Sequence, residues 1–308
     1  MKLVIWSAAM NLSADIGALA FAKQAQRIPL TATRVQKQSP TTLPHTNNVP
    51  TIAFVSFGDW GMPEGAEVLA RTRDRIRSLP QVDFVSLLGD NFYGTVSDDM
   101  HKLFQVCKIS PNIPHYAVLG NHDYRGHHQV QLDYNRIEPA WHMPNTYYAK
   151  IFKSSDVSIC ALFIDTEPIH TKSGSGQFAW MKEVLMSDSC QKANWRIVSG
   201  HRNIHTAGIY SKETRIKDAI GPIIREGKVH VYYSGHEHNM QLLSDDRTVY
   251  AIAGKINQGM KPIEYAHELL RWHVHEVPGF VYTVATPTQL LITMYGTDMG
   301  PLKSIRLG

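Results

Sequence analysis

Val82-Asp83-Phe84-Val85-Ser86-Leu87-Leu88, followed at once by Gly89-Asp90-Asn91-Phe92-Tyr93-Gly94, is the stretch from which the fold is read. A short, β-rich apolar run ends at a glycine, and the side chains after that glycine are ones that ligate metals. The same pattern precedes it, where Thr51–Phe57 ends in Gly58-Asp59-Trp60-Gly61, and follows it, where His115–Leu119 ends in Gly120-Asn121-His122-Asp123. It returns at 195–199, before Gly200-His201, and at 229–234, before Gly235-His236-Glu237-His238-Asn239. Between the first runs, Ala66, Leu69, Ala70, Ile76 and Leu79 have a broadly helical spacing over 64–79, and Asp98–Val106 forms a second, shorter helix. Strand–helix–strand, repeated, predicts a parallel sheet with crossover helices. Further strands are expected at 157–164, 248–253, 280–285 and 289–295, and helices at 176–187 and 212–225. The last strands follow one another without helices, which predicts mixed rather than purely parallel pairing.

A single Gly-Asp or Gly-Asn is an ordinary turn. Five in series are different, because open α/β sheets bind ligands beyond the carboxyl ends of their strands. Glycine there lets the chain turn sharply and approach a bound group. Asp, Asn, His and Tyr together suit hard-to-borderline cations rather than thiolate-loving ones. A carboxylate such as Asp90 can bridge two ions, and a two-metal site clamps the oxygens of an in-line displacement at phosphorus.

Composition narrows the alternatives. The chain has 308 residues, 43% of them hydrophobic, enough for a packed core. Its net charge of +4 lies in residues 1–50, where Lys2, Lys23, Arg27, Arg34 and Lys37 face only Asp15. Of 31 basic and 27 acidic residues this leaves 26 of each in the remainder, so no basic footprint for nucleic acid exists. Residues 1–22 have apolar runs and an Ala20-Phe21-Ala22 pattern that suits a signal peptide, although Asp15 interrupts them. The lack of acids from Ile16 to Phe57 also suits a transit segment, and 23–50 reads as a basic, disordered leader. Cys107, Cys160 and Cys190 allow one bridge and a spare thiol, or three buried thiols. No run of about 20 apolar residues is present, so no transmembrane anchor is expected.

Asp59-Trp60-Gly61, Gly-Asp-Asn-Phe-Tyr (89–93), Gly-Asn-His-Asp (120–123), Gly-His (200–201) and Gly-His-x-His-Asn (235–239) together resemble the five blocks of the calcineurin-like metallophosphoesterases. More narrowly, they resemble the small, tartrate-resistant purple acid phosphatases, over residues 51–308. The resemblance implies an α/β fold: a four-layer α/β/β/α sandwich with two mixed β-sheets. It implies Fe3+ held by Asp59, Tyr93 and His238, a second divalent ion (Fe2+, Zn2+ or Mn2+) held by Asn121, His201 and His236, and Asp90 bridging them. Many relatives place a His two residues after the first Asp. Gly61 stands there instead, and Tyr93 matches the position of the tyrosinate in the purple enzymes. The implied activity is an acid phosphatase hydrolysing phosphate monoesters, small ones or phosphoproteins, by direct attack of a metal-bound hydroxide. His122 would orient phosphate and protonate the leaving alkoxide. A secreted or lysosome-like location goes with the family.

The fourth block departs from the family pattern Gly-His-Tyr-Pro, reading Gly200-His201-Arg202-Asn203. A further outer-sphere His is expected along this loop. His205 is nearby, while Tyr210 lies closer to the expected offset. Arg202 reads as a phosphate contact or as a solvated side chain, and Asp123 as an orienting group or a structural turn residue. The histidines at 127–128 and 267–275 read as exposed loop positions. Two rival functions remain. One is a phosphodiesterase or nucleotidase on the same scaffold, and the other is a non-catalytic scaffold protein that keeps the fold.

Overall fold

The computed structural model describes Val49 and residues 51–93, 97–126, 128–171, 173–254, 256, 259 and 261–308. The expected signal peptide (1–22), all of the expected leader (23–50) but Val49, Gly94 and His127 lie outside the described residues. The strands are β1 (Ile52–Phe57), β2 (Phe84–Leu87), β3 (His115–Ala117), β4 (Trp141–His142), β5 (Tyr148–Ser154), β6 (Val157–Phe163) and β7 (Trp195–Ser199). They continue as β8 (Val231–Ser234), β9 (Met240–Ser244), β10 (Val249–Ala253), β11 (Leu270–Val274), β12 (Gly279–Ala285), β13 (Leu290–Gly296) and β14 (Gly300–Leu307). The helices are α1 (Ala66–Arg77), α2 (Ser97–Cys107), α3 (His128–Asp133), α4 (Thr166–His170), α5 (Ser175–Met186), α6 (Asp188–Gln191) and α7 (Arg215–Glu226).

The strands form two seven-stranded sheets, ordered β14-β13-β12-β1-β2-β3-β4 and β11-β9-β10-β8-β7-β6-β5. Both are mixed. β1, β2, β3 and β4 run parallel, while β12 joins β1 antiparallel with Ile52 opposite Ala285. In the second sheet β6, β7, β8 and β10 run parallel, flanked by antiparallel β5 and β9. β1 is buried along its whole length, so both faces of its sheet are covered.

The two-residue period of the strands sorts their side chains. Ile159, Ala161, Phe163, Trp195, Ile197, Val231 and Tyr233 face one core, shared with the first sheet. Alternate residues Cys160, Leu162, Val198 and Tyr232 face a second core, where α5 and α7 supply Met181, Leu185, Ile216, Ile220, Ile223 and Ile224. The two sheets meet directly. Phe84 stacks on Phe152 at 3.9 Å, Phe54 meets Tyr233 edge-on at 5.7 Å, and the Ser86 and Ser199 hydroxyls share a 2.9 Å hydrogen bond. Helices α1 and α2 bring Leu69, Ile76, Leu103 and Phe104 to the first core. This is the expected four-layer α/β/β/α sandwich. Cys160 and Cys190 are bridged, and Cys107 is a buried thiol.

Several elements went unread in the sequence. β5 carries Lys150 and Lys153 and lies at a sheet edge, where charge blunts the strand pattern. β14 opens on Gly300-Pro301, residues tolerated there because it too is an edge strand. α4 and α6 are too short to show a helical period.

Candidate metal centre

The ligand-bearing turns lie at the carboxyl ends of β1, β2 and β3 in one sheet and of β7 and β8 in the other. Their backbones interlock: Asp59 N–H donates to Gly89 O at 3.0 Å, Gly61 N–H to Asp90 O at 3.1 Å, and Gly235 N–H to His201 O at 3.1 Å. Such close approach leaves no room for side chains at two positions. A Cβ on Gly61 would lie 2.2 Å from Asn91 O, so the histidine of related first blocks cannot stand on this backbone. A Cβ on Gly120 would lie 2.3 Å from both the amide and Oδ1 of Asp90.

The same turns hold strain. Asp59 (φ 54°), Asp90 (φ 51°) and His236 (φ 67°) are left-handed without being glycine. Each such residue costs on the order of 1–3 kcal/mol and persists only where its surroundings hold it. All three are predicted metal ligands.

The side chains converge. Ligand atoms of Asp59, Asp90 and His201 all lie within 4.8 Å of one another. His201 Nε2 is 3.2 Å from Asn121 Oδ1, 3.2 Å from His236 Nδ1 and 3.5 Å from Asp90 Oδ1. Its Nδ1–H donates to Leu88 O at 2.8 Å, a bond that aims Nε2 into the cluster. His238 Nε2 sits 3.4 Å from Asp59 Oδ1, and the Tyr93 hydroxyl donates to Asp90 Oδ2 at 3.2 Å. His122 borders the group, its amide donating to Asp90 Oδ1 at 2.8 Å and its Nε2 3.9 Å from Asp90 Oδ2. The structure therefore brings together all seven predicted ligands and His122.

This donor set fits a cation. Asp59 Oδ1 is buried without a hydrogen bond. Burial pushes the Asp90 carboxyl up, with the Asp59 charge adding to it. Burial pulls His201 down, yet the Asp90 and Asp59 carboxylates raise it on balance. Desolvation raises the Tyr93 phenol strongly, reinforced by the same two carboxylates. Anionic oxygens packed this closely out of water need positive charge beside them.

Asp123 acts as the brace between turns. Its carboxylate accepts from the amides of Gly120 (2.8 Å), Phe92 (2.8 Å) and Asn91 (3.2 Å), and from Gln131 Nε2 at 2.8 Å. Asn91 extends the brace, donating to Val118 O and accepting from the Trp60 indole.

His205 stands elsewhere. Its ring packs edge-on against Tyr250 and His267, and burial lowers its pKa to about 4. Tyr210, further along that loop, does reach the cluster, stacked on His236 at 4.0 Å with 21° between the rings. Arg202 is neither solvated nor free for phosphate. It is buried in a fork with Glu167 (2.6 and 3.2 Å), its Nη1 donates to Glu213 at 3.2 Å, and that nitrogen lies 3.2 Å from His236 Nε2. Glu167 and Glu213 sit in no sequence block, so nothing in the sequence marked them.

Comparison with known proteins assigns the chain to a family. The family model described as calcineurin-like phosphoesterase matches residues 52–240. Tartrate-resistant acid phosphatase type 5 of Sus scrofa is 27% identical over 289 residues, covering 80% of this chain and 84% of that protein. Purple acid phosphatase 17 of Arabidopsis thaliana is 27% identical over 224 residues, covering 63% and 64%. Among solved structures, GAP50, the anchor in the inner membrane complex of Plasmodium, superposes with a TM-score of 0.72 at 21% identity, covering 84% of this chain and 89% of that one. Purple acid phosphatase PPD1 from yellow lupin (Lupinus luteus) gives 0.66 at 15%, covering 83% and 53%. A family match over more than half the chain, on a two-sheet fold whose strand ends gather the ligand set, means that this chain belongs to the calcineurin-like phosphoesterase family.

Proposed function

We propose that the protein is an acid phosphatase that hydrolyses phosphate monoesters at a pair of metal ions. The observation that carries this reading is the convergence of Asp59, Asp90, Tyr93, Asn121, His201, His236 and His238 on one cluster with a buried centre. Asp59, Tyr93 and His238 would hold Fe3+. Asn121, His201 and His236 would hold a divalent partner, Fe2+, Zn2+ or Mn2+, with Asp90 between them. Such a pair supplies Lewis acidity and neutralises phosphate charge. Tyr93, in place of a first-block histidine, supports the purple acid phosphatase branch over phosphodiesterases and nucleotidases.

The chain's own groups supply the rest. His122 lies beside Tyr93, the ring centres 4.1 Å apart and tilted by 37°, and is only partly buried, so its imidazole can reach a substrate. It orients the phosphate and gives its proton to the leaving alkoxide oxygen. The strained turns fix the ligands before substrate arrives, which spares reorganisation in the transition state. The Cys160–Cys190 bridge supports an oxidising, secretory or lysosome-like compartment.

The test is p-nitrophenyl phosphate turnover at mildly acidic pH, on protein of known metal content, beside Asp90→Ala. Metal-dependent turnover lost in the variant upholds the reading. A fully metallated wild type without turnover favours the scaffold reading, which the changed Gly200-His201-Arg202-Asn203 block would then explain.

A further inference from the structure

The two sheets face each other strand by strand. Phe54 of β1 meets Tyr233 of β8, Ser86 of β2 meets Ser199 of β7, and Tyr116 of β3 stacks on Phe163 of β6 at 5.4 Å. Within each sheet the three strands run parallel, so their carboxyl ends form the two banks of one trough. Five of these six strands bring predicted ligands to it. β6 brings none, and the turn after it carries the buried Asp165 instead. From the turn after β3, the Tyr124 hydroxyl donates to Asp165 Oδ2. This bond joins the banks at the third pair of strands and closes that end of the trough. Asp165 is a fixed post. Its amide donates to Gln177 Oε1 at 2.9 Å, Gln177 Nε2 donates to its carbonyl at 2.8 Å, and its Oδ1 accepts from the Glu167 amide at 3.2 Å. One face of the Tyr124 ring rests on His128, the ring centres 4.6 Å apart with 29° between them, yet 36% of the residue stays exposed. Burial and the Asp165 charge push its phenol well up, so the wall is a neutral ring rather than a phenolate.

We propose that Tyr124 is a specificity-determining residue, an aromatic end wall against which the organic part of an aryl phosphate monoester rests, with Asp165 as the residue that positions it. This rests on the monoesterase reading above and names the substrate class. His122 stands two residues before Tyr124 on the same turn. An ester oxygen that takes its proton lies within hydrogen-bond reach of the imidazole. The carbon group on that oxygen then lies on the His122 side of the phosphorus, the side that Tyr124 closes. A planar ring gains a stacked or edge-on contact there that an alkyl chain does not match. Because the hydroxyl is committed to Asp165, the wall offers this group a ring surface and no hydrogen bond, so shape rather than polarity sorts the substrates.

The test is calorimetric binding of phenylphosphonate and methylphosphonate to protein of known metal content. Their P–C bonds resist hydrolysis, so the ratio of the two Kd values reports the wall without the chemistry of the leaving group. Wild type should bind phenylphosphonate roughly threefold to tenfold more tightly than methylphosphonate. In Tyr124→Ala that ratio should fall to about one. Tyr124→Phe keeps the ring but frees it from Asp165, and should lie between. Asp165→Ala should fall toward Tyr124→Ala, while Asp165→Asn, which keeps an acceptor oxygen, should stay near wild type. A protein that is merely destabilised would lose both ligands together and leave the ratio where it was. A ratio near one in wild type overturns the wall, as does a ratio unmoved in Tyr124→Ala, and turnover of phosphate monoesters would then still stand. A ratio that depends on Tyr124, in a protein with no phosphatase turnover, upholds the wall and overturns the monoesterase reading. Failure of wild type to bind either phosphonate overturns both.

Discussion

The amide of His236 donates to Asp59 Oδ2 at 2.9 Å, joining the turn after β8 to the turn after β1 across 177 residues of chain. Both residues hold left-handed φ, and each belongs to a different sheet. One carboxylate, a predicted ligand, thus also rivets the two layers together. Asp59→Ala should therefore lose metal and also lower stability, by about 1–3 kcal/mol for the stranded amide alone. Metal content and urea denaturation, measured on one preparation, check both halves. A variant with native stability in chelator would refute the rivet.

His122 touches the cluster without being in its ligand set. Replacing it with Asn should lower kcat roughly 10²- to 10⁴-fold while the bound metal is unchanged. Turnover of an alkyl phosphate monoester and metal analysis are the readouts. Aryl esters, whose leaving groups need less protonation, should suffer less than alkyl esters.

Asp123 braces three amides from two turns. Asp123→Ala should cost several kcal/mol, since each buried donor left unsatisfied costs about 1–3 kcal/mol. Asp123→Asn keeps the acceptor oxygen and should cost less. Thermal unfolding of the pair would show the order, and equal losses would speak against the brace.

His115, in β3, is fully buried and uncharged: its Nε2 accepts from the Ile109 amide and its Nδ1 donates to Ile113 O. Burial lowers its pKa to about 3 from 6.5. Below 6.5 the unfolded chain binds a proton that the folded chain refuses, so stability falls as pH drops through the window from 6.5 toward 3. The slope from this one group approaches about 1.4 kcal/mol per pH unit. His115→Gln should flatten the decline in Tm between pH 6 and 4, and an unchanged slope would refute it.

The clustering of the predicted ligands was legible in the sequence because each block follows a strand and a glycine, and such local patterns survive in one dimension. The Gly61 and Tyr93 exchange was readable for the same reason. What escaped depends on side chains meeting from distant segments. Nothing near Glu167 or Glu213 announces an arginine partner, and only the fold decides whether His205 or Tyr210 turns inward. The loop from 200 to 214 has no period to fix its direction. Among strands, β5 and β14 were hidden by their edge positions, where lysine and proline replace the apolar pattern.

β1 is the fourth strand of its sheet, and its antiparallel neighbour β12 lies near the other end of the chain, Ile52 pairing with Ala285. At synthesis rates of about 5–20 residues per second, some tens of seconds separate the emergence of the two. Throughout that interval the strand bearing Asp59 has an open edge, and the cluster rests on an unfinished sheet. The sheet behind the cluster is thus completed only once Gly279–Ala285 has emerged to close what the first strand began. Truncations that spare every ligand but stop short of β12 should leave the ribosome as aggregation-prone clients of chaperones.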